Sequence, residues 1–227
     1  MIDQNNTVEK QYRSFMAEFL HRGANQLGPI SSYELRHDPK YLSFKLSRYK
    51  FVSKMLSGRK SVLEVGCGDG FGSQIIRSEV ERLICVDIDP LFIGYCEKYM
   101  SEFDIDFRVM DFTQKYLVEK VDGIYSMDVL EHISPDDEHS FMKNILLSLK
   151  EHGVVIIGIP SLESQIYTAE HNKIGHVNCK SGDDFKKMLH KYFHNVFLFS
   201  SNDEVIHTGY LKMAHYLIAI CCEAKQF

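Results

Sequence analysis

Nowhere in the 227 residues does an apolar run approach the roughly 20 that a membrane-spanning helix needs. The opening stretch, MIDQNNTVEKQYRSF, is polar and lacks the apolar core of a signal peptide. These absences set the expectation of a cytoplasmic protein with no membrane contact. Paired cysteines are missing too. Cys67, Cys85, Cys96, Cys179, Cys221 and Cys222 are scattered, none forms a C-x-x-C pair, and several sit in apolar runs. That argues against structural zinc and reads as reduced thiols used for packing. A net charge of -5 leaves no excess of positive charge to hold nucleic acid by bulk electrostatics. There is no internal repeat and no low-complexity linker. What is present, 44% hydrophobic and 25% charged residues, describes an ordinary soluble chain long enough for one domain with a full core.

The middle of the chain alternates between two periods. Strand-like runs are expected at Ser61–Val65, Arg82–Asp87, Asp106–Met110, Gly123–Met127 and Val154–Ile159. Helix-like runs lie between most of them, at Phe71–Glu79, Pro90–Ser101 and Pro135–Leu149. This alternation predicts an α/β fold with a parallel sheet covered on both faces. A long polar loop, Ser161–Lys180, precedes a helix at Gly182–Tyr192. Two late strands, Val196–Ser200 and Lys212–Cys222, have no long helix between them and should pair antiparallel. The first forty residues read differently: a helix from Val8 to about Arg22, then the Gly-Pro-containing loop GANQLGPISSYELRHDPKY. Residues 1–40 are therefore expected to be a helical appendage and residues 41–227 the main domain, opening with a helix over Tyr41–Leu56.

The first strand and the glycine-rich turn after it read VLEVGCGDGFGS. Glycines belong where φ is positive or where a ligand must approach the backbone. The helix N-terminus beyond them offers N–H groups to an anion such as a phosphate or a carboxylate. A Walker loop is excluded because no GK[ST] comes after it, and the spacing is G-x-G-x-G, not the G-x-G-x-x-G of a dinucleotide site. Glu64 would repel a pyrophosphate and suits a ligand carrying positive charge. The bland alternative is a tight turn without a ligand.

The segment EVGCGDG resembles the first motif, E/DxGxGxG, of the class I S-adenosylmethionine-dependent methyltransferases, with matches at Glu64, Gly66, Gly68 and Gly70 and with Cys67 inside it. The resemblance implies a loop wrapped around the amino-acid end of S-adenosylmethionine, with Glu64 facing its cationic region and S-adenosylhomocysteine as product. Asp87, in ICVDIDP, can accept from both ribose hydroxyls with Ile88 beside it, while Asp89 before Pro90 suits a helix cap. In RVMDF the resemblance gives Asp111 to the adenine amino group and Met110 and Phe112 to packing on the ring, the alternative for Asp111 being a cap. Strand four runs into MDVLEH, closest to the small-molecule, ubiquinone-biosynthesis-like branch, and puts Met127 and Asp128 at the cofactor edge. The likeness extends over roughly Lys60 to Pro160. It implies a doubly wound, Rossmann-like sheet of seven strands in the order 3-2-1-4-5-7-6, the last antiparallel.

The acceptor side is less defined. The [N/D]PP[Y/F] segment of base amino-methyltransferases and the Pro-Cys pair of DNA cytosine-5 enzymes are both absent, which points to a small-molecule acceptor and away from nucleic acid. A hydroxyl acceptor needs a base, and His132 beside the cofactor edge is the first candidate, with a packing role as its alternative. The loop PSLESQIYTAEHNKIGHVNCKSG adds His171, His176 and Asn178; His176 is favoured as base or acceptor contact over loop scaffolding. Asn202, Asp203, Glu204 and His207 read better as a solvated hairpin turn than as pocket residues. Tyr33, His37 and Tyr41 are placed where they could cover the site and exclude water. No metal is expected, because the acidic pair of catechol-type enzymes is not evident and Asp128 alone does not suffice. The reading is methyl transfer to oxygen of a sugar, nucleotide-sugar, phosphorylated or other secondary metabolite. Its alternatives are N-methylation of a small amine, a non-catalytic domain that binds the cofactor and acts through a partner, and a nicotinamide-dependent oxidoreductase.

Overall fold

The protein is described by a computed structural model over residues 7–168 and 170–226, without the side chains of positions 171 and 172, so His171 lies outside the described residues. In chain order the strands are β1 (Val62–Val65), β2 (Leu83–Asp87), β3 (Asp106–Val109), β4 (Val121–Met127), β5 (Leu149–Pro160), β6 (Phe193–Asn202), β7 (Val205–His207) and β8 (Tyr216–Ala224). The helices are α1 (Arg13–Arg22), α2 (Pro29–His37), α3 (Pro39–Leu56), α4 (Ser73–Arg77), α5 (Pro90–Tyr99), α6 (Glu138–Ser148), α7 (Glu170–Gly175) and α8 (Gly182–Leu189).

One sheet runs β3-β2-β1-β4-β5-β8-β6-β7. β1 to β5 pair in parallel, and β8 inserts antiparallel between β5 and β6. The expected order 3-2-1-4-5-7-6 is this sheet without its edge strand. The extra strand, β7, forms because Asp203, at φ 50, turns the chain so that Val205 pairs with Asn202. Asn202, Asp203, Glu204 and His207 thus lie in and beside a hairpin turn, and none of them lines the cavity described below.

Helices α6 and α8 cover one face of the sheet and α3, α4 and α5 the other, and strand period decides which residues meet them. Leu63 and Val65 of β1 pack with Phe141 and Ile145 of α6 and Phe185 and Leu189 of α8. Val62 faces the other way, with Tyr49, Val52 and Leu56 of α3, Ile76 of α4 and Ile93 of α5. Alternation therefore sends Glu64 to this second face, into the core. Local chemistry starts the helices. Asp89 accepts from Leu91 N–H at 2.8 Å with Pro90 at the first turn, and Ser181 accepts from Asp184 N–H at 3.2 Å.

The segment read as a Gly-Pro loop contains a helix, α2. Its own N-cap is Gly28, whose side chain can accept nothing. The acceptor comes from the glycine loop: Asp69 Oδ2 accepts from Ser31 N–H at 2.8 Å and Oδ1 from the Ser31 hydroxyl at 3.1 Å. The Ser161–Lys180 loop also holds more structure than expected, a 3-10 turn at Glu163–Tyr167 and the short α7. Among the described residues no helix is long and apolar enough to cross a membrane.

Candidate active site

The C-terminal ends of β1, β2 and β4 open onto a cavity of about 1520 Å³, roofed by α2 and flanked by α3. This is the edge at which doubly wound sheets bind ligands. Gly66 and Gly68 both line it, at φ 82 and 54, where L side chains are strained. A Cβ on Gly66 would stand 2.2 Å from Val129 Cγ2, and one on Gly68 3.0 Å from Ile30 Cδ1. Both glycines are needed for the turn and for close approach. Cys67 lines the cavity between them. Its thiol is pushed up, first by hydrogen bonding to Cys85 and further by burial, which keeps it protonated and inert.

Two of the expected cofactor contacts lie elsewhere. Gly70, at φ 71, does not line the cavity; a Cβ there would meet Met100 Sδ at 2.8 Å and Cys96 Sγ at 3.0 Å, so its role is packing. Glu64 is buried and does not face a ligand. Its Oε2 accepts from the hydroxyls of Ser73 and of Tyr125 (2.7 Å) and from the Cys85 thiol at 3.3 Å. Burial raises its pKa, and the hydrogen bonds from Ser73, Tyr125 and Cys85 offset part of that. Glu64 is a positioning residue that ties β1, β4 and the start of α4 together beneath the loop.

Asp87 lines the cavity and shapes it. Oδ2 accepts from Gly68 N–H at 2.8 Å and Oδ1 from Asp89 N–H at 2.9 Å, fixing the glycine loop against β2. Each oxygen keeps a second lone pair for a ribose hydroxyl. Ile88 beside it is 65% exposed at the cavity rim, an apolar surface without a cover. Asp111 serves both readings: Oδ1 caps the following turn through Thr113 N–H (2.8 Å) and Oγ1 (2.7 Å), while Oδ2 has no protein donor among the described residues. Met110 and Phe112 flank it on the cavity wall. Carboxylates for hydroxyls and an amine, apolar walls for a ring and glycines for a close backbone approach together fit S-adenosylmethionine.

Met127 forms part of the wall at the end of β4. Asp128 comes next at φ 57, held by N–H bonds to Gly158 O and Tyr216 Oη, both 3.1 Å. Its carboxylate is taken by Arg48, at 3.3 and 3.4 Å, and so is not the open cofactor contact expected. Arg48 comes from α3, is buried, and lies with Cζ 3.7 Å from the centre of the Tyr216 ring. Burial alone would lower the Arg48 pKa, but Asp128 and Tyr216 outweigh it and hold the charge. The Asp128 charge, with burial, raises Tyr41 to about 12. Arg48, Tyr216 and the contact of Tyr41 with their charges are not evident from sequence. One signal was available for Arg48, which stands one turn before the buried Val52 on the inner face of α3.

His132 and His176 both line the cavity, with ring centres 5.1 Å apart. His132 Nδ1 donates to Gly175 O at 2.9 Å, and His176 Nδ1 donates to Gln165 Oε1 at 2.8 Å. Burial foremost, then His132, lowers the His176 pKa below 6.5. Glu131, also buried against the cavity, is pushed well above the usual carboxylate range by burial and then by Asp128. Asn178 lies under the loop, donating to Glu138 Oε2 at 3.0 Å, as scaffolding. Tyr33, His37 and Tyr41 do line the roofed side of the cavity.

Residues 63–157 match the protein family described as "Methyltransferase domain". A probable S-adenosylmethionine-dependent methyltransferase of Mycolicibacterium smegmatis is 27% identical over 118 residues, 50% of this chain and 44% of the relative. The chain spans about half the length of the curated relatives it matches. Among solved structures, the N-methyltransferase NodS of Bradyrhizobium japonicum WM9 in complex with S-adenosylhomocysteine superposes with a TM-score of 0.61 at 19% identity, covering 95% of this chain and 99% of that one. The small RNA methyltransferase HEN1 gives a TM-score of 0.62 at 16% identity, covering 79% of this chain and 25% of that one. These structural likenesses are likenesses of fold. With the glycine loop, Asp87 and Asp111 arranged as described, residues 63–157 form a methyltransferase domain of the S-adenosylmethionine-dependent kind, carried on the class I fold, and S-adenosylmethionine is the cofactor that such a domain takes.

Proposed function

We propose that the protein transfers a methyl group to the hydroxyl oxygen of a small molecule such as a sugar, a nucleotide-sugar, or a phosphorylated or other secondary metabolite, and not to nucleic acid. S-adenosylmethionine supplies a methyl already activated by its sulfonium, so what the protein must supply is alignment and control of one proton. Gly66, Cys67 and Gly68 would hold the amino-acid end, Asp87 the ribose and Asp111 with Met110 and Phe112 the adenine. Ile88, Met127 and Asp128 complete the wall.

The observation that carries an oxygen acceptor is the placement of His132 and His176 in this same cavity. Each ring has Nδ1 committed to a carbonyl oxygen, which leaves Nε2 with its lone pair. Each can therefore accept from an acceptor hydroxyl or draw its proton. The α2 roof shields the reacting groups from water. The net charge of -5 supports a small acceptor over a nucleic acid.

Calorimetric titration with S-adenosylmethionine, S-adenosylhomocysteine and NAD tests the pocket; binding of the two sulfur compounds and not of NAD is expected. A methyl-transfer screen then compares sugars, nucleotide-sugars and phosphorylated metabolites with small amines and short RNA. Transfer to RNA or to amines alone would overturn the acceptor class. Absence of binding by either sulfur compound would overturn the pocket assignment.

A further inference from the structure

Glu131, His132 and His176 each offer a ligand atom within 4.8 Å of the others. Glu131 and His132 sit on the 3-10 turn after β4, while His176 stands just past the end of α7. Backbone bonds lock the two segments together: Val177 and Asn178 N–H donate to Glu131 O at 2.8 and 3.0 Å. The spacing of the three side chains is therefore built in.

Two independent features point to a ligand. Glu131 is 1% exposed, and its Oε2 has no hydrogen-bond partner among the described residues. A carboxylate oxygen removed from water without a donor is an expensive arrangement unless a positive charge meets it. Arg48, the nearby cation, is committed to Asp128. The second feature is the pair of second contacts on the imidazoles. An imidazole that binds a metal through one nitrogen characteristically donates its other N–H to a carbonyl or carboxylate, which fixes both tautomer and orientation. His132 and His176 do this through Gly175 O and Gln165 Oε1. Gly175 is required for that contact, since a Cβ there would stand 2.9 Å from His132 Nδ1.

We propose that Glu131, His132 and His176 bind one divalent first-row transition-metal ion at the acceptor end of the cavity. Two imidazoles and one carboxylate suit zinc, manganese or iron better than the all-oxygen preference of magnesium or calcium. Three protein ligands leave coordination positions open, and these face the cavity. An acceptor carrying two neighbouring oxygens would fill them; with the ion bound, the Nε2 lone pairs of His132 and His176 are engaged, so the ion, in place of a free imidazole, would make the bound hydroxyl acidic. That use of the ion rests on the proposed methyl transfer to oxygen; its binding does not. The absence of an acidic pair in the sequence had argued against a metal. The geometry replaces the second acid with His176, which the sequence alone does not bring to Glu131.

Co²⁺ titrated into the purified protein without S-adenosylmethionine tests the site, followed by visible absorption, equilibrium dialysis and melting temperature. One equivalent per chain is expected, with nitrogen–oxygen ligand-field bands and a raised melting temperature. His132→Ala, His176→Ala and Glu131→Gln should each weaken Co²⁺ binding at least tenfold, with circular dichroism confirming the fold of each variant. Failure of the wild-type chain to bind Co²⁺ would overturn the proposal. So would a thiolate-to-metal charge-transfer band, or affinity unchanged in both histidine variants, since either places the ion elsewhere. If S-adenosylhomocysteine does not bind but Co²⁺ does, the cofactor reading falls and the metal site stands.

Discussion

Replacing Arg48 with methionine removes the buried charge that fastens α3 to the end of β4 while keeping most of the apolar stem. Breaking a fully buried ion pair by deleting one partner costs roughly 3–5 kcal/mol, because the other charge is left uncompensated. The Arg48 side chain is 9% exposed but that of Asp128 is 29%, so water can reach the abandoned carboxylate. The pair therefore contributes less than that range, about 2–3 kcal/mol. Loss of the guanidinium above the Tyr216 ring adds about 1–2 kcal/mol at a desolvated site. Against this, Arg48 Nε has no hydrogen-bond partner among the described residues, and its removal returns about 1 kcal/mol. The expected net destabilisation is about 2–4 kcal/mol, read from urea unfolding at neutral pH followed by circular dichroism. Combining Arg48→Met with Asp128→Asn should restore part of the loss, with a coupling of about 1–3 kcal/mol. A cost below about 0.5 kcal/mol, or strict additivity in the double variant, would refute the assignment of this pair as the tie between α3 and the site.

Asp87→Ala removes the acceptor for Gly68 N–H and the contact expected for the ribose; S-adenosylhomocysteine affinity should fall by roughly 1–3 kcal/mol, and an unchanged calorimetric constant would displace the ribose from Asp87. Gly28→Ala puts a Cβ 2.3 Å from Asp69 Oδ2; overpacking of about 1–3 kcal/mol should lift α2, visible as faster amide exchange across residues 29–37. Glu64→Gln tests the buried carboxylate through pH. The Glu64 pKa in the folded protein lies above its ordinary 4.5, so ionisation is penalised in the folded state, and the penalty develops as pH rises from 4.5 through the raised value. The stability of Glu64→Gln relative to wild type should therefore increase over that window and then level off; a difference independent of pH would mean that Glu64 is not held as described.

The elements legible in the sequence are those fixed by near neighbours. β1 and its glycine turn, and Asp89 with Pro90 at the head of α5, carry their instructions within a few residues. The alternation of strand and helix was enough to place β1 to β5 and the antiparallel β8. What could not be read depends on partners distant in the chain. α2 is capped by Asp69, 38 residues on, so its own sequence looks like a loop. A carboxylate before glycines suggests a ligand contact for Glu64; its burial depends on Tyr125, 61 residues away on β4. Asp128 looked free until α3 brought Arg48 across 80 residues. His132 and His176 were named separately, but their meeting with Glu131 depends on the loop after β5 folding back on the turn after β4.

The α2 roof also has a kinetic meaning. Ile30 stands over Gly68, and the polar ties of the nine-residue α2 to the rest of the domain include Ser31 on Asp69 and Glu34 on Lys45. A helix of that length has little stability of its own in water. A product held beneath Ile30 that left past α2 would need this helix to open, and its residence time would then follow the closed lifetime of a nine-residue helix. Release gated in this way would give a rapid first turnover and then a slower steady state in stopped-flow and steady-state assays, and strengthening the Asp69–Ser31 contact would slow that steady state as it tightened product binding.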